Sequence, residues 1–364
     1  MKRKFNVINY IVTFIITVCM VVLVVLIFDK KYDEKVTASI GYYVIGIFAS
    51  GLICSLIHEL GHLVFGKANG FTLTAFTVWF FRWVKQGKKF KFSFAFSLEE
   101  AGSTEMVKKT PEGMEKALKN MTIGGLVFSF ISLLFALPVM ILNVPSWLYS
   151  IVVTFLPIGA YFFVGNLLPA SEGGARNDGG VLYGLKHGDD ESKVTINLLK
   201  IQSELYGGKT FLEIDEGLYF NLPQLPEDSL NFIMLLNYRY NYYLDKGDYS
   251  EAIQTISRLQ TLEDYMPRHF IYAIKADALY NACTINYNPD VADELMYELE
   301  DKLGKDASVT SYRVRLAYIL AVSEEKEMAE LFYKRALKVA NKCHLSGLKR
   351  FEVKLIEQLK EKYL

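Results

Sequence analysis

His58, Glu59 and His62 lie in the stretch SLIHELGHLV, residues 55–64, with the H-E-x-x-H spacing of zinc hydrolases. Residues four apart on a helix share a face, so both imidazoles can reach one ion. Glu59 is one step round the helix. It can reach a water on that ion without binding the ion itself, which suits a general base. A catalytic zinc takes three protein ligands and keeps one position open for water. The same stretch ends a run apolar enough to cross a bilayer, where two histidines and a glutamate are costly unless they face a cavity or a partner. That setting separates this motif from chance occurrences on amphipathic soluble helices, although a purely structural role stays open as the alternative.

A third ligand must come from elsewhere. Residues 165–185 read GNLLPASEGGARNDGGVLYGL. Asp178, followed by Gly179 and Gly180, is the first candidate; its other reading is a cap on the helix that starts near Gly179. Glu172 in the same loop is a second candidate, and Glu99 and Glu100 are a third.

The elements that must position these groups are mostly apolar helices. Four runs reach spanning length: Tyr10–Phe28, Val36–Ile57, Ala117–Leu142 and Trp147–Leu168. The first follows Lys2, Arg3 and Lys4 and lacks a small-residue cleavage site, so it reads as an uncleaved anchor. Arg82, Lys85, Lys88, Lys89 and Lys91 lie between the second and third runs. The 29–35 loop balances three acids with three lysines. Basic residues mark the cytoplasmic side, which places both termini there. His58 then lies near the inner end of the second span, and the GNLLP stretch reaches the same depth after the fourth. The expected location is a bacterial cell membrane.

Between the second and third spans, KFKFSFAFS alternates with period two: Phe90, Phe92, Phe94 and Phe96 on one face, Lys89, Lys91, Ser93 and Ala95 on the other. FTLTAFTVWFF before it is rich in β-formers, and the chain turns around Gly87. An amphipathic hairpin at about residues 70–100 is expected at the cytoplasmic membrane surface. It would either dock on lipid or present an edge on which an extended peptide could pair.

From about residue 186 the composition changes to charge and tyrosine. Three segments resemble each other, beginning at Gly247, Asn288 and Glu324, and aligning Ala252, Ala292 and Ala329 gives spacings of 40 and 37 residues, looser than the basic period of about 34 in the tetratricopeptide helix pairs they look like. A tetratricopeptide-like domain over 186–364 is expected. Such an array can hold a protein or peptide partner, and Tyr238, Tyr240, Tyr242 and Tyr243 either line that groove or pack between helix pairs. Lys plus Arg equals Asp plus Glu at 40 each, so overall charge points to no nucleic acid. Cys19, Cys54, Cys283 and Cys343 fit no disulfide framework or metal knuckle and read as packing residues. His187, His269 and His344 have no ligand-like neighbours in the sequence.

Three motifs occur in one order: HELGH at the end of a span, IGGLVFS (Ile123 to Ser129) in the next, and NLLP…DGG after the one following. Together they resemble the site-2 protease family of intramembrane metalloproteases, over about residues 39–185. The resemblance implies a three-span core, preceded here by an anchor span at 1–35, with His58, His62 and Asp178 as ligands of one zinc ion and Glu59 as catalytic base. It also implies that Asn166, near Pro169, helps hold the substrate carbonyl or oxyanion, and that a small sheet lies beside the zinc. Eight residues, Ala170 to Asn177, separate Pro169 from Asp178, more than is usual in the family, and Leu126 follows the paired glycines where proline is common.

The expected fold class is therefore mostly α: a four-span membrane domain with a protease core at 36–185 and an interfacial β-hairpin, followed by a soluble helical-repeat domain. The expected activity is zinc-dependent hydrolysis of peptide bonds in membrane-embedded or apolar substrates near the cytoplasmic face, for regulated proteolysis or peptide maturation. The alternative, from a different class, is a membrane-anchored scaffold or peptide receptor with a vestigial metal site.

Overall fold

The computed structural model describes residues 2–32, 40–87, 89–94, 102–172, 175–323 and 325–363. Glu99, Glu100, Ala95 and Phe96 lie outside them, as does the side chain of Glu172. The chain is mostly helical. Among the described residues, four helical stretches are long and apolar enough to cross a membrane: Asn6–Lys31, Ile40–Ala68, Met114–Ile141 and Ser146–Leu167.

The first two are single helices, α1 (Lys2–Lys31) and α2 (Ile40–Ala68). The third is α3 (Met114–Ala136) continued by a 3-10 turn at Leu137–Ile141 that contains Pro138. The fourth divides into α4 (Ser146–Val152) and α5 (Phe155–Leu167). Pro157 explains the break, because it has no N–H for the carbonyl of Val153 and its ring crowds that carbonyl.

On α2 the buried residues are small or polar: Gly46, Ser50, Gly51, Cys54, Ser55, His58, Glu59, Gly61 and Gly66. Its large apolar residues, among them Ile45, Ile47, Phe48 and Ile53, point outward. This is the reverse of a soluble amphipathic helix, and it suits a helix that meets lipid outside and close-packed helices inside. Gly61 and Gly124 meet where α2 crosses α3; a β-carbon on Gly61 would overlap the Gly124 carbonyl. Ser50 Oγ and Thr154 Oγ1, 2.9 Å apart, join α2 to the break between α4 and α5.

The stretch expected to form a hairpin is a four-stranded antiparallel sheet in the order β3-β2-β1-β4. Its strands are β1 (Phe71–Val78), β2 (Phe81–Gln86), β3 (Lys89–Phe94) and β4 (Gly102–Lys108). FTLTAFTVWFF therefore holds β1 and the first residue of β2, divided by a turn at Trp79 and Phe80. Trp79 takes up a left-handed backbone, φ 52°, unusual for a bulky residue. Its ring packs against Gly51 and Phe48 of α2, which compensates for that conformation. Phe90, Phe92 and Phe94 alternate with Lys89 and Lys91 as expected, yet all of β3 is exposed, because as an edge strand it pairs only with β2. The fourth strand, β4, carries no alternation strong enough to mark it in the sequence.

Beyond α5 come the short strands β5 (Ser171–Glu172) and β6 (Ala175–Arg176), then α6 (Asp178–His187) and α7 (Asp190–Gly207). After the short α8 (Gly217–Phe220), the remaining helices pack as consecutive pairs. The pairs are α9 (Leu230–Lys246) with α10 (Tyr249–Gln260), α11 (Arg268–Thr284) with α12 (Pro289–Lys305), and α13 (Val309–Tyr318) with α14 (Lys326–Ala340). Asp248, Asn288 and Ser308 cap α10, α12 and α13 by accepting from backbone N–H groups in the first turn. Ala252, Ala292 and Ala329, each on the second helix of its pair, are fully buried.

The last helix, α15 (Ser346–Tyr363), runs across the pairs rather than extending them. It packs on α7, α13 and α14, Lys354 bonds Asp245 at the end of α9, and Tyr363 Oη donates to Cys283 O on α11. Tyr240 and Tyr242 are buried in the helical core and Tyr238 and Tyr243 pack against it, so these rings join the packing between helices.

The two halves meet in one apolar cluster. Phe71 and Met106 of the sheet, Met114 and Ala117 of α3, Leu63 of α2, and Ile196 and Leu199 of α7 contribute to it. Ser203 of α7 also donates to Lys108 O at the end of β4 (2.7 Å), and the turn at Gly87 donates to Lys342 O (3.0 Å).

Candidate metal centre

Three elements bring the ligand candidates together. His58 and His62 lie one turn apart near the end of α2, and Asp178 is the first residue of α6. The loop between α5 and α6 folds back because α6 starts against the end of α5. At Gly179 a β-carbon would overlap the Leu167 carbonyl, and at Gly180 it would lie 2.8 Å from Ala170 O. The DGG sequence is thus a requirement of close approach. Asn177, not Asp178, caps α6: its Oδ1 accepts from Gly180 N at 2.9 Å. Asp178 is thereby left free to point at the histidines.

The donor atoms form a small triangle. His58 Nε2 is 3.1 Å from His62 Nε2, and Asp178 Oδ2 is 3.3 Å from the first and 3.4 Å from the second. Bonds of 2.0–2.1 Å to a tetrahedral zinc would place neighbouring donors roughly 3.3 Å apart. The triangle already has that size. Asp178 Oδ2 is buried and makes no hydrogen bond. A buried carboxylate oxygen without a donor is costly, and a cation at the triangle's centre removes that cost. Among the described residues, this is the cluster of histidine, cysteine and acidic groups close enough to hold an ion. Two imidazoles and one carboxylate are a donor set that zinc accepts.

The other ring nitrogens are held from α3. His62 Nδ1 lies 3.0 Å from Met121 O. A carbonyl only accepts, so His62 carries a proton on Nδ1, which leaves Nε2 as the nitrogen that would bind a cation in the triangle. His58 Nδ1 lies 3.0 Å from Ser129 Oγ. Between these two points on α3, Gly125 forms the floor of the site: a β-carbon there would be 2.5 Å from His62 Nε2 and 2.9 Å from His58 Cε1. The glycine pair in IGGLVFS has two separate uses, helix crossing at Gly124 and room for the imidazoles at Gly125.

Glu59 is buried beside His58, and its carboxylate is outside the ligand cluster. Strand β4 covers it. Thr104 Oγ1 lies 2.6 Å from Glu59 Oε2, and Gly102 passes so close that a β-carbon would be 2.7 Å from Oε1. A carboxylate held through Oε2, next to but not within a ligand triangle, is placed to exchange protons with a water there.

Asn166 lies on the last turn of α5 with its Nδ2 donating to Phe162 O at 2.9 Å, back along its own helix. Glu172 is in β5, and its side chain lies outside the described residues. Thr104 and Asn177 contribute to the site without having been marked in the sequence. The S/T/N/D-x-x pattern ahead of a helix is a signal that could have found Asn177; nothing local distinguishes Thr104. No known family, curated protein or solved structure matches this chain.

Proposed function

We propose that the chain is an intramembrane zinc endopeptidase similar to the site-2 proteases, acting on membrane-embedded or apolar peptides near the cytoplasmic face. The observation that carries this reading is the triangle of His58, His62 and Asp178 donor atoms at 3.1–3.4 Å, set beside a buried glutamate on the same helix. Position supports the substrate class. His58 is eighteen residues beyond Ile40, roughly 27 Å along α2 at 1.5 Å per residue, against a hydrocarbon thickness of ~30 Å. The site is then close to the far edge of the apolar layer, where water is near and membrane segments are within reach.

A bound zinc ion would supply a Lewis acid that polarises the scissile carbonyl and acidifies the attacking water. Glu59 accepts a proton from that water as its oxygen bonds to the carbonyl carbon. It then delivers the proton to the amide nitrogen as the C–N bond breaks. Thr104 holds Oε2 and so keeps the carboxylate in one orientation for both transfers. The sheet beside Glu59 supports a further element of this reading, since a protease must take its substrate extended and a strand is a surface for an extended peptide. The tetratricopeptide-like array, through α7, touches α3, α6 and β4, all of which contribute to the site, so partner binding there has a physical route to it.

The test is zinc analysis of the detergent-purified chain together with cleavage of an apolar reporter peptide. About one ion per chain and cleavage lost in Glu59→Gln, with zinc kept, is the expected result. A metal-free wild type would leave the scaffold or receptor reading in its place.

A further inference from the structure

The end of α5 has a specific deficit. Gly165 O would be paired by the N–H of residue 169, but that residue is Pro169, and the last helical carbonyls lack partners in any case. Two asparagines supply donors. Asn177 Nδ2 reaches Gly165 O at 2.6 Å and Leu168 O at 2.7 Å. Asn9 Nδ2, from α1, reaches the same two oxygens at 2.9 and 2.6 Å. Asn9 Oδ1 lies 3.1 Å from Thr13 Oγ1, which fixes the amide with its NH2 toward the loop. One turn earlier, the Asn6 amide pairs with both backbone groups of Ser171: Nδ2 to Ser171 O at 2.5 Å and Oδ1 from Ser171 N at 2.8 Å. It occupies those groups as a neighbouring strand would.

We infer that α1 is a working part of the metal centre rather than a passive anchor. Asn6 and Asn9 clamp the 165–171 loop from one side while Asn177 grips it from the other, and this fixes Asp178. The inference rests on the metal-centre reading above. Asn6 and Asn9 are positioning residues, since their hydrogen bonds go to the loop and not to the ligand atoms. Their effect passes through Asn177, which is bonded to Gly165 O, Leu168 O, Ala170 N and Gly180 N and is followed directly by Asp178. Metal–ligand distances tolerate only ~0.2 Å, so a loop that drifts by an ångström removes the third ligand. Polar side chains on so apolar a helix are expensive unless each is matched with a partner, and both amides here are matched on the same loop. A helix serving only to hold the chain in lipid has no use for them.

The test compares full-length wild type, Asn9→Leu, Asn6→Ala and Val24→Ala in detergent. Val24 is buried on α1 against Tyr149, Val153 and Leu156, so its truncation loosens α1 without touching the loop. Two readouts are taken: the rate at which zinc passes to a chelator, and backbone hydrogen exchange over residues 165–177. Asn9→Leu is expected to release zinc at least about 10-fold faster, the scale for losing support behind a ligand, and to speed exchange in the loop. Asn6→Ala should do so to a smaller extent, and Val24→Ala should do neither. Wild-type release and exchange in Asn9→Leu would overturn the clamp, and so would equal acceleration in Val24→Ala. If the wild type holds no zinc, the proposed function fails, and the exchange comparison still decides the clamp.

Discussion

Thr104 Oγ1 lies 2.6 Å from Glu59 Oε2 and 3.1 Å from the Glu59 carbonyl oxygen. A hydroxyl has one proton to donate, and the shorter contact, to the carboxylate, takes it. The strand β4 therefore reaches the proposed base with a hydrogen bond of the charge-assisted kind, worth ~1.5–3 kcal/mol. Thr104→Val keeps the shape and removes the donor. Cleavage should fall about 10- to 100-fold, zinc content should be unchanged, and Thr104→Ser should restore most of the rate. Steady-state kinetics with metal analysis of each variant checks this.

Gly125 has no room for a side chain, because a β-carbon would lie 2.5 Å from His62 Nε2. Gly125→Ala should displace the imidazole and abolish zinc retention. Other helix-crossing contacts are untouched, so far-UV circular dichroism should stay at the wild-type level. Retained zinc in this variant would mean that α3 does not form the floor of the site.

Ser129 supports His58 through Nδ1. Ser129→Ala should weaken zinc binding by roughly 10- to 100-fold, as is usual when the partner behind a histidine ligand is lost. Ser132, whose hydroxyl donates to Ser129 O one turn away, is the matched control, and Ser132→Ala should bind zinc normally. Chelator competition measures both.

The helical domain has its own titrating centre. Asp277 on α11 and Glu352 on α15 both bond Arg313 of α13, at 3.1 and 2.7 Å, with Tyr280 packed over the guanidinium. Burial pushes the Asp277 carboxyl up to about 6, and Arg313 pulls against that rise. The folded domain then holds a proton between about pH 4 and 6 that the unfolded chain has lost. Stability from this group is present below that window and is lost as pH rises through it. Asp277→Asn should flatten the slope. Urea unfolding at each pH, followed by hydrogen-exchange pulse labelling of α11 and α13 at one fixed pH, tests it. Arg313→Leu leaves two acids buried without their cation and should cost about 3–5 kcal/mol.

The grouping of His58, Glu59 and His62 was legible because it depends on spacing within one helix. The four apolar stretches were legible because their composition has no other use. Asp178 was visible only as one of several acids, since the choice between ligand and cap turns on Asn177, and that assignment needs the folded loop. The sheet was half legible: β3 announces itself by alternation, but β1 and β2 read as one strand because the Trp79 turn contains none of the usual turn residues. Thr104, Asn6 and Asn9 were silent. Each acts across more than forty residues of chain, and no local pattern encodes a partner at that distance. The tyrosines of α9 were readable as aromatic helix positions, but whether they lined a groove depended on where α15 runs.

The triangle of donors also bears on which ion the chain would select. Calcium takes six or more oxygens at 2.3–2.6 Å and magnesium favours an oxygen octahedron that keeps several waters. Two imidazoles and a carboxylate, already 3.1–3.4 Å apart, offer neither. The abundant hard cations are excluded by donor type and by size together. Among first-row metals the discrimination is weaker, since affinities of nitrogen–oxygen sites rise from manganese to copper largely regardless of the protein. Cobalt and zinc should both fit with little rearrangement. The identity of the ion in a given preparation would then reflect what the cell or the growth medium supplies as much as what the site prefers.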